Sequence, residues 1–228
     1  MQPVKRSEIN RLLAQAVEFL KECRFALPPF AFWTPDDWTH KGPECDEIRR
    51  NMLGWDVTDF GLGRYAQDGL LLFTLRNGNV NNPEDHKTYC EKIIICQAGQ
   101  RCPLHFHWNK IEDVIACAGA DVAMRLYNSG RDEAPDRRSP VRVSLDGVVT
   151  QLAAGGKLVL SAGRSITLTP GLYHEFWAEG GPCLIGEVSA VNDDTADNRF
   201  ADAIGRFPKI EEDEQPLYYL CNEYPPAG

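Results

Sequence analysis

The chain has no long apolar run. Across 228 residues nothing approaches the roughly 20 consecutive apolar residues a helix needs to span a bilayer. Met1 to Leu13 mixes charged and apolar side chains and has no hydrophobic core of the secretory-signal kind. Positive charge is in short supply. Lys and Arg total 24 against 33 Asp and Glu, a net charge of −9, which argues against nucleic acid or an anionic membrane as partner. Eight cysteines are present (Cys23, Cys45, Cys90, Cys96, Cys102, Cys117, Cys183 and Cys221), yet no two form a Cys-x-x-Cys pair. Reduced, mostly buried thiols fit that scatter better than a disulfide framework. There is no internal repeat, no low-complexity run and no linker between two units. These absences describe a cytoplasmic chain with one core, residues 1–228 forming a single domain.

What is present divides by period. Ile9, Leu12, Leu13, Ala16, Leu20 and Cys23 recur at helical spacing, predicting a helix over residues 5–24. Ser7 is its candidate N-cap, and Pro28-Pro29 prevent its continuation. Thr34-Pro35-Asp36 reads as the start of a second, short helix. Trp33 and Trp38 are read as packing the N-terminal lobe onto the core, rather than lining a sugar-sized pocket. From Asp56 the period becomes two. Strands are predicted over residues 69–75, 89–97, 112–116, 120–127, 158–160, 165–168, 174–178 and 184–189. Asn77-Gly78 is a turn signal, and Asp146-Gly147 divides 141–145 from 148–152 as a hairpin. Many short strands at near-regular spacing predict an all-β barrel or sandwich over residues 61–228, with a helical N-terminal extension over 1–60. Glu211 to Glu214 reads as a solvated acidic patch, and Leu217 to Leu220 as a final strand.

Histidine is scarce, five in all, and three of the five carry the chemistry. In Gly99-Gln-Arg-Cys-Pro-Leu-His105-Phe-His107-Trp-Asn-Lys-Ile-Glu112, two imidazoles stand one residue apart and a carboxylate follows five residues later. On a strand His105 and His107 face the same way, and a short turn can return Glu112 to them. Two imidazoles and a carboxylate make a metal site with room for more ligands. Gly119 follows that segment, and Gly163 precedes Thr169-Pro-Gly-x-x-His174. This two-part pattern resembles the cupin family, whose small β-barrel (jelly-roll-like) holds one divalent metal. The resemblance implies His105, His107, Glu112 and His174 as the ligands. The second motif departs slightly: its proline is displaced by one residue, and Ala178 stands where many cupins have Asn. His40 and His86 fall outside the pattern and are read as surface residues. Three imidazoles and one carboxylate leave two adjacent octahedral positions, suited to a bidentate ligand or to O₂. Mn, Fe, Co, Ni and Zn all accept such donors, zinc usually with fewer of them.

A closer resemblance runs through nearly the whole chain. Its segments are Lys5-Arg-Ser-Glu-Ile-Asn, Phe25-Ala-Leu-Pro-Pro-Phe-Ala-Phe-Trp33, Tyr89-Cys-Glu-Lys-Ile93, Pro103 to Asp113, Leu168 to Phe176 and Glu187 to Phe200. Together they resemble the D-lyxose isomerase family: manganese-dependent, homodimeric cupin enzymes that interconvert D-lyxose with D-xylulose and often D-mannose with D-fructose. That chemistry moves one proton between C1 and C2 through a cis-enediol held at the metal. It needs a Lewis acid at O1 and O2, a base for the C–H proton and a group that shuttles the hydroxyl proton. Glu187, a carboxylate within Leu184-Ile-Gly-Glu-Val-Ser, is the first candidate for the base. Lys110 stands close to the metal by sequence, as a cation for the enediolate oxygen or as a proton carrier with a lowered pKa. Lys92, among apolar strand residues, is expected to face a polar pocket. Of Asp194 and Arg199, at least one is expected to hold sugar hydroxyls, while Asp193 fits a turn. Three other readings stay open. One is a phosphosugar isomerase, which needs a cationic cradle; Lys92, Lys110, Arg125 and Arg199 are its candidates. The second is an Fe(II) cupin dioxygenase, which would favour an apolar pocket. The third is a non-enzymatic sugar-binding cupin.

Overall fold

A computed structural model describes residues 3–82, 84–205 and 208–227. Strand β1 (Val4–Lys5) leads into helix α1 (Arg6–Glu22). The helical period buries Ile9, Leu12, Leu13, Ala16 and Leu20 along one face. Ser7 is not the cap. Lys5 holds the N-cap position without a side-chain bond, and Ser7 N and Oγ donate instead to the Asp213 carboxylate at 2.9 and 2.7 Å. The tail thus supplies the anion that a helix N-terminus favours. A 3₁₀ turn (Pro29–Phe32), α2 (Pro35–Trp38) and α3 (Asp46–Arg50) follow. Thr34 and Asp37 close a reciprocal capping box at α2. Trp38 is buried and packs on Trp33 and Tyr224, ring centroids 5.4 and 4.3 Å away, which agrees with the packing reading.

The sheet begins inside the stretch read as a helical extension, with β2 (Gly54–Thr58). It continues through β3 (Leu70–Arg76), β4 (Tyr89–Cys96), β5 (Arg101–Phe106), β6 (Glu112–Ser129), β7 (Pro135–Asp136), β8 (Val141–Leu145), β9 (Val148–Leu152), β10 (Lys157–Leu160), β11 (Ser165–Leu168), β12 (Leu172–Ala190) and β13 (Arg199–Phe200). Its main path is β2-β3-β4-β12-β6-β11-β8-β9, paired antiparallel throughout; β10 and β7 pair with β6, and β5 pairs with β12 and β13. β6 and β12 each merge two strands predicted separately. They pair from Leu172↔Asn128 to Ser189↔Glu112, with irregularities near Gly119. There φ is +81°, and a Cβ would lie 2.5 Å from the Pro182 carbonyl oxygen, so the chain bends at a glycine without ending the strand. Asp146 and Gly147 both take positive φ, as the β8–β9 hairpin requires.

The strand period separates two cores. Leu70 and Leu72 of β3, Ile94 of β4, Val143 of β8, Leu160 of β10, Ile166 of β11 and Ile185 of β12 meet inside the barrel. Leu71, Phe73, Ile93 and Ile95, on the opposite face, pack with Trp55 against Ile9, Leu13 and Leu20 of α1. The protein is the all-β cupin barrel with a helical N-terminal extension that the sequence implies. The acidic stretch Glu211 to Glu214 is exposed, as read, and it is also anchored: β14 (Ile210–Glu211) pairs parallel with β1, and Glu212 binds the buried Arg6 at 2.7 Å. One tail expectation changes. Leu217 to Leu220 is not a strand; only a single bridge joins Leu220 to Trp55.

Candidate metal and catalytic centre

β5 and β12 run antiparallel with His105 directly opposite His174. His107 lies just past the end of β5, where the turn residue Gly171 donates its N–H to the His107 carbonyl at 2.8 Å. Gly171 has φ +76°, a conformation that glycine adopts without strain. Strand and turn together bring ring nitrogens of His105, His107 and His174 within 4.8 Å of one another. Glu112 opens β6 beside them. Its Oε1 lies 3.2 Å from His174 Nε2, and its Oε2 3.6 Å from His107 Nε2. All four side chains are buried.

Each imidazole is aimed by a backbone carbonyl. Nδ1 of His105 pairs with the Pro103 carbonyl oxygen at 2.8 Å, that of His107 with Asp197 at 2.6 Å, and that of His174 with Leu172 at 3.1 Å. Those bonds place the proton on Nδ1 and turn the Nε2 lone pair inward, the tautomer a metal ligand needs. Burial, then the neighbouring His174 and His107, lowers the His105 pKa well below its usual value. Burial, then Lys110, lowers that of His107 to about 4. Both rings are neutral at pH 7. For Glu112, burial alone would raise the pKa, but Lys110, His107 and His174 outweigh it and hold the carboxyl well below the carboxylate range. Three imidazoles and one carboxylate fit a divalent transition ion.

Beside this cluster two lysines and further acids form a charged wall. Lys110 Nζ lies 2.6 Å from Glu112 Oε2 and 2.8 Å from Glu187 Oε1. Lys92 Nζ lies 3.7 Å from Glu187 Oε1 and 3.8 Å from Asp194 Oδ1. Asn192 Oδ1 accepts from both ammonium groups, at 2.6 Å from Lys92 and 3.4 Å from Lys110. Lys92 shares the barrel-facing side of β4 with Ile94, as an inward-facing lysine requires. Burial opposes charge on Lys110, but Glu112 and Glu187 more than offset it and raise the pKa. Lys110 is thus held as a cation between two carboxylates, with its pKa raised rather than lowered. Burial likewise opposes charge on Lys92, and Asp194 and Glu187 override it.

The cavity bounded by these groups opens to solvent. Its other wall is apolar, with Phe60, Leu70, Leu72, Ile94, Phe176 and Phe200. Phe200 lies 5.4 Å from His105, ring centroid to centroid. Asp194 lines the cavity, but Arg199 does not. On the two-residue β13 successive side chains alternate, so Phe200 turns inward while Arg199 sends Nε to Glu133, 3.4 Å away, and is 43% exposed. Arg125 lies outside as well, over Trp177 and beside Glu175. Asp193 caps its own turn through Thr195 and Ala196. Sequence reasoning did not single out Asn192, Asp197, Asn198 or Phe200. All four lie in or beside the Glu187–Phe200 segment it had marked, but their roles depend on residues some 80 to 100 positions away.

Comparison with known proteins agrees with this geometry. A family model described as D-lyxose isomerase matches residues 4–224. The D-lyxose/D-mannose isomerase of Serratia proteamaculans is 44% identical over 225 residues, covering 97% of this chain and 98% of its own. The D-lyxose/D-mannose isomerase of Escherichia coli O157:H7 is 43% identical over 224 residues, at the same coverage. Among solved structures, the L-ribose isomerase of Cellulomonas parahominis superposes with a TM-score of 0.61 at 16% identity, over 92% of this chain and 100% of its own. That last likeness is one of fold.

Proposed function

This chain belongs to the D-lyxose isomerase family, and from that premise we propose that it is a metal-dependent aldose–ketose isomerase acting on D-lyxose and D-xylulose, and on D-mannose and D-fructose. The observation that carries the reading is the junction of the two clusters: the Lys110 ammonium bridges Glu112, beside the three histidines, to Glu187. His105, His107, Glu112 and His174 would hold one divalent ion, manganese in the first instance, with Co, Fe, Ni or Zn as substitutes. When bound, that ion supplies Lewis-acid polarisation of the sugar carbonyl.

The remaining work falls to the chain itself. Glu187 takes the proton from C2 of the aldose and returns it to C1, acting as general base and then acid, while the Lys110 ammonium relays the hydroxyl proton by donating to O1 and accepting from O2. Lys110, kept charged by its two carboxylates, sets positive potential where the enediolate oxygen develops. Lys92 and Asp194, at the outer end of the charged wall, hydrogen-bond the sugar's remaining hydroxyls. Phe60, Phe176 and Phe200 cover the sugar's C–H face and keep water from the exchanging proton. Arg199 has no part in this scheme.

A phosphosugar substrate is disfavoured. Lys92 and Lys110 are already committed to carboxylates, and Arg125 and Arg199 stand outside the cavity. We place the enzyme in the cytoplasm as a homodimer. The exposed edge strand β9, with Val148 and Val149 at 65% and 59% exposure, offers an edge for pairing. No helix among the described residues is long and apolar enough to cross a membrane. The test is a panel of free and phosphorylated aldoses and ketoses, assayed after chelation and again after Mn²⁺ is restored. Turnover of free sugars that stops with the chelator and returns with Mn²⁺ supports the proposal; turnover restricted to phosphorylated sugars overturns it.

A further inference from the structure

Resting on the metal-centre reading above, we infer that Asp197 is a positioning residue that sets both His107 and Lys110 from outside the cavity. It lies 87 residues beyond Lys110 in sequence, is 6% exposed, and is not among the cavity-lining residues. Three of its atoms act on one short turn. Its carbonyl oxygen accepts the His107 Nδ1 proton at 2.6 Å. Oδ1 accepts from the Asn109 backbone N–H at 2.9 Å and from Asn109 Nδ2 at 3.1 Å. Oδ2 accepts from the Lys110 backbone N–H at 2.9 Å.

The physical logic is local. Between His107 and Glu112 four residues carry the chain from the end of β5 to the start of β6, in a stretch outside any strand. The Lys110 N–H is buried and needs an acceptor, and the Asp197 carboxylate meets it and the Asn109 N–H together with charge-assisted bonds. The same residue's carbonyl fixes the His107 tautomer. A single side chain and its backbone thereby hold one metal ligand and the cation beside another. Asp197 is itself fixed, because its N–H donates to the Asp193 carbonyl at 3.0 Å. Asp193 provides the contrast: among the described residues its carboxylate bonds within its own turn, to Thr195 and Ala196.

The test begins with the metal-free protein titrated with Mn²⁺, for the unsubstituted chain, Asp197→Asn and Asp193→Ala. Asp197→Asn keeps the volume but turns an NH₂ group toward one of the two backbone N–H groups. Its Mn²⁺ dissociation constant is expected to rise by about 10- to 100-fold, as for other groups that orient metal ligands. At saturating Mn²⁺ its kcat is expected to stay below that of the unsubstituted protein, because Lys110 has shifted. Asp193→Ala is expected to bind within twofold of the unsubstituted chain. Should Asp197→Asn fail to fold, amide exchange of the unsubstituted protein decides: slow exchange at Asn109 and Lys110 is expected, and fast exchange at both overturns the inference. It is also overturned by a folded Asp197→Asn with unchanged affinity and kcat, by an equal loss in Asp193→Ala, or by an unsubstituted chain that binds no Mn²⁺. If the unsubstituted chain binds Mn²⁺ but turns over no sugar, the isomerase proposal falls while the binding comparison still judges Asp197.

Discussion

His174 supplies one of four proposed donors and sits opposite His105 across two strands. His174→Ala is therefore expected to lose metal and activity together, as read by metal analysis of the purified protein; full metal occupancy would refute the assignment. Lys110 is the only ammonium within salt-bridge reach of Glu112 among the described residues. Lys110→Met leaves the buried Glu112 and Glu187 without the charge between them, and removing one partner of a buried pair costs about 3–5 kcal/mol. Denaturant unfolding of the metal-free protein should show that loss, and an unchanged midpoint would mean that the pair does not stabilise the fold. The convergence of these side chains was readable in the sequence because His105-x-His107 and Glu112 lie within eight residues, so strand periodicity and one turn suffice to join them. Arg199 lies outside the cavity that Asp194 lines, and proximity in sequence says nothing about which side of a two-residue strand a side chain takes. Asn192 and Asp197 were not legible at all, since their partners come from remote parts of the chain.

Among the elements, α1 and the acidic tail lend themselves to direct tests. Leu13 is fully buried between α1 and the sheet, so Leu13→Ala should cost about 2–5 kcal/mol in unfolding free energy, measured with denaturant. The tail is held by carboxylates. The bond from Arg6 lowers the Glu212 pKa, and bonds from Ser7 lower that of Asp213. Groups with depressed pKa values favour the docked state above their unfolded values, and that contribution is lost as pH falls below about 4. Amide exchange at residues 210–214, corrected for its intrinsic rate, should speed up between pH 5 and pH 3. A Glu212→Gln variant should show less of this change, and equal pH dependence in both proteins would contradict the account. The segment is solvated, as charge runs usually are, but its anchor was not legible because Arg6 lies 206 residues away. Likewise β6 and β12 were each divided in two, since Gly119 and Gly180-Gly181 look like breaks when seen without the neighbouring strand. The β8–β9 hairpin was found intact because Asp146-Gly147 specifies its turn locally.

For the whole molecule, the all-β architecture was legible from alternation and turn residues, and the site from a spacing that only a barrel interior can close. The apolar cavity wall was less so, because Leu70 and Ile94 read as ordinary core until the strands that bring them to the site are known. The acidic chain, with its two cavity lysines already paired, should reject phosphorylated sugars: D-mannose is expected to yield ketose where its phosphate ester does not, and the reverse preference would contradict the charge argument. Sedimentation of the purified protein should give a dimer, and a monomer at working concentration would remove the β9 seam. The most direct measurement compares D-xylulose formation from D-lyxose by the Mn²⁺-loaded protein and its Glu187→Gln variant. The account predicts equal metal content and a variant slower by about 10²–10⁴. A variant at full rate, or a metal-loaded parent protein that forms no ketose, would contradict it.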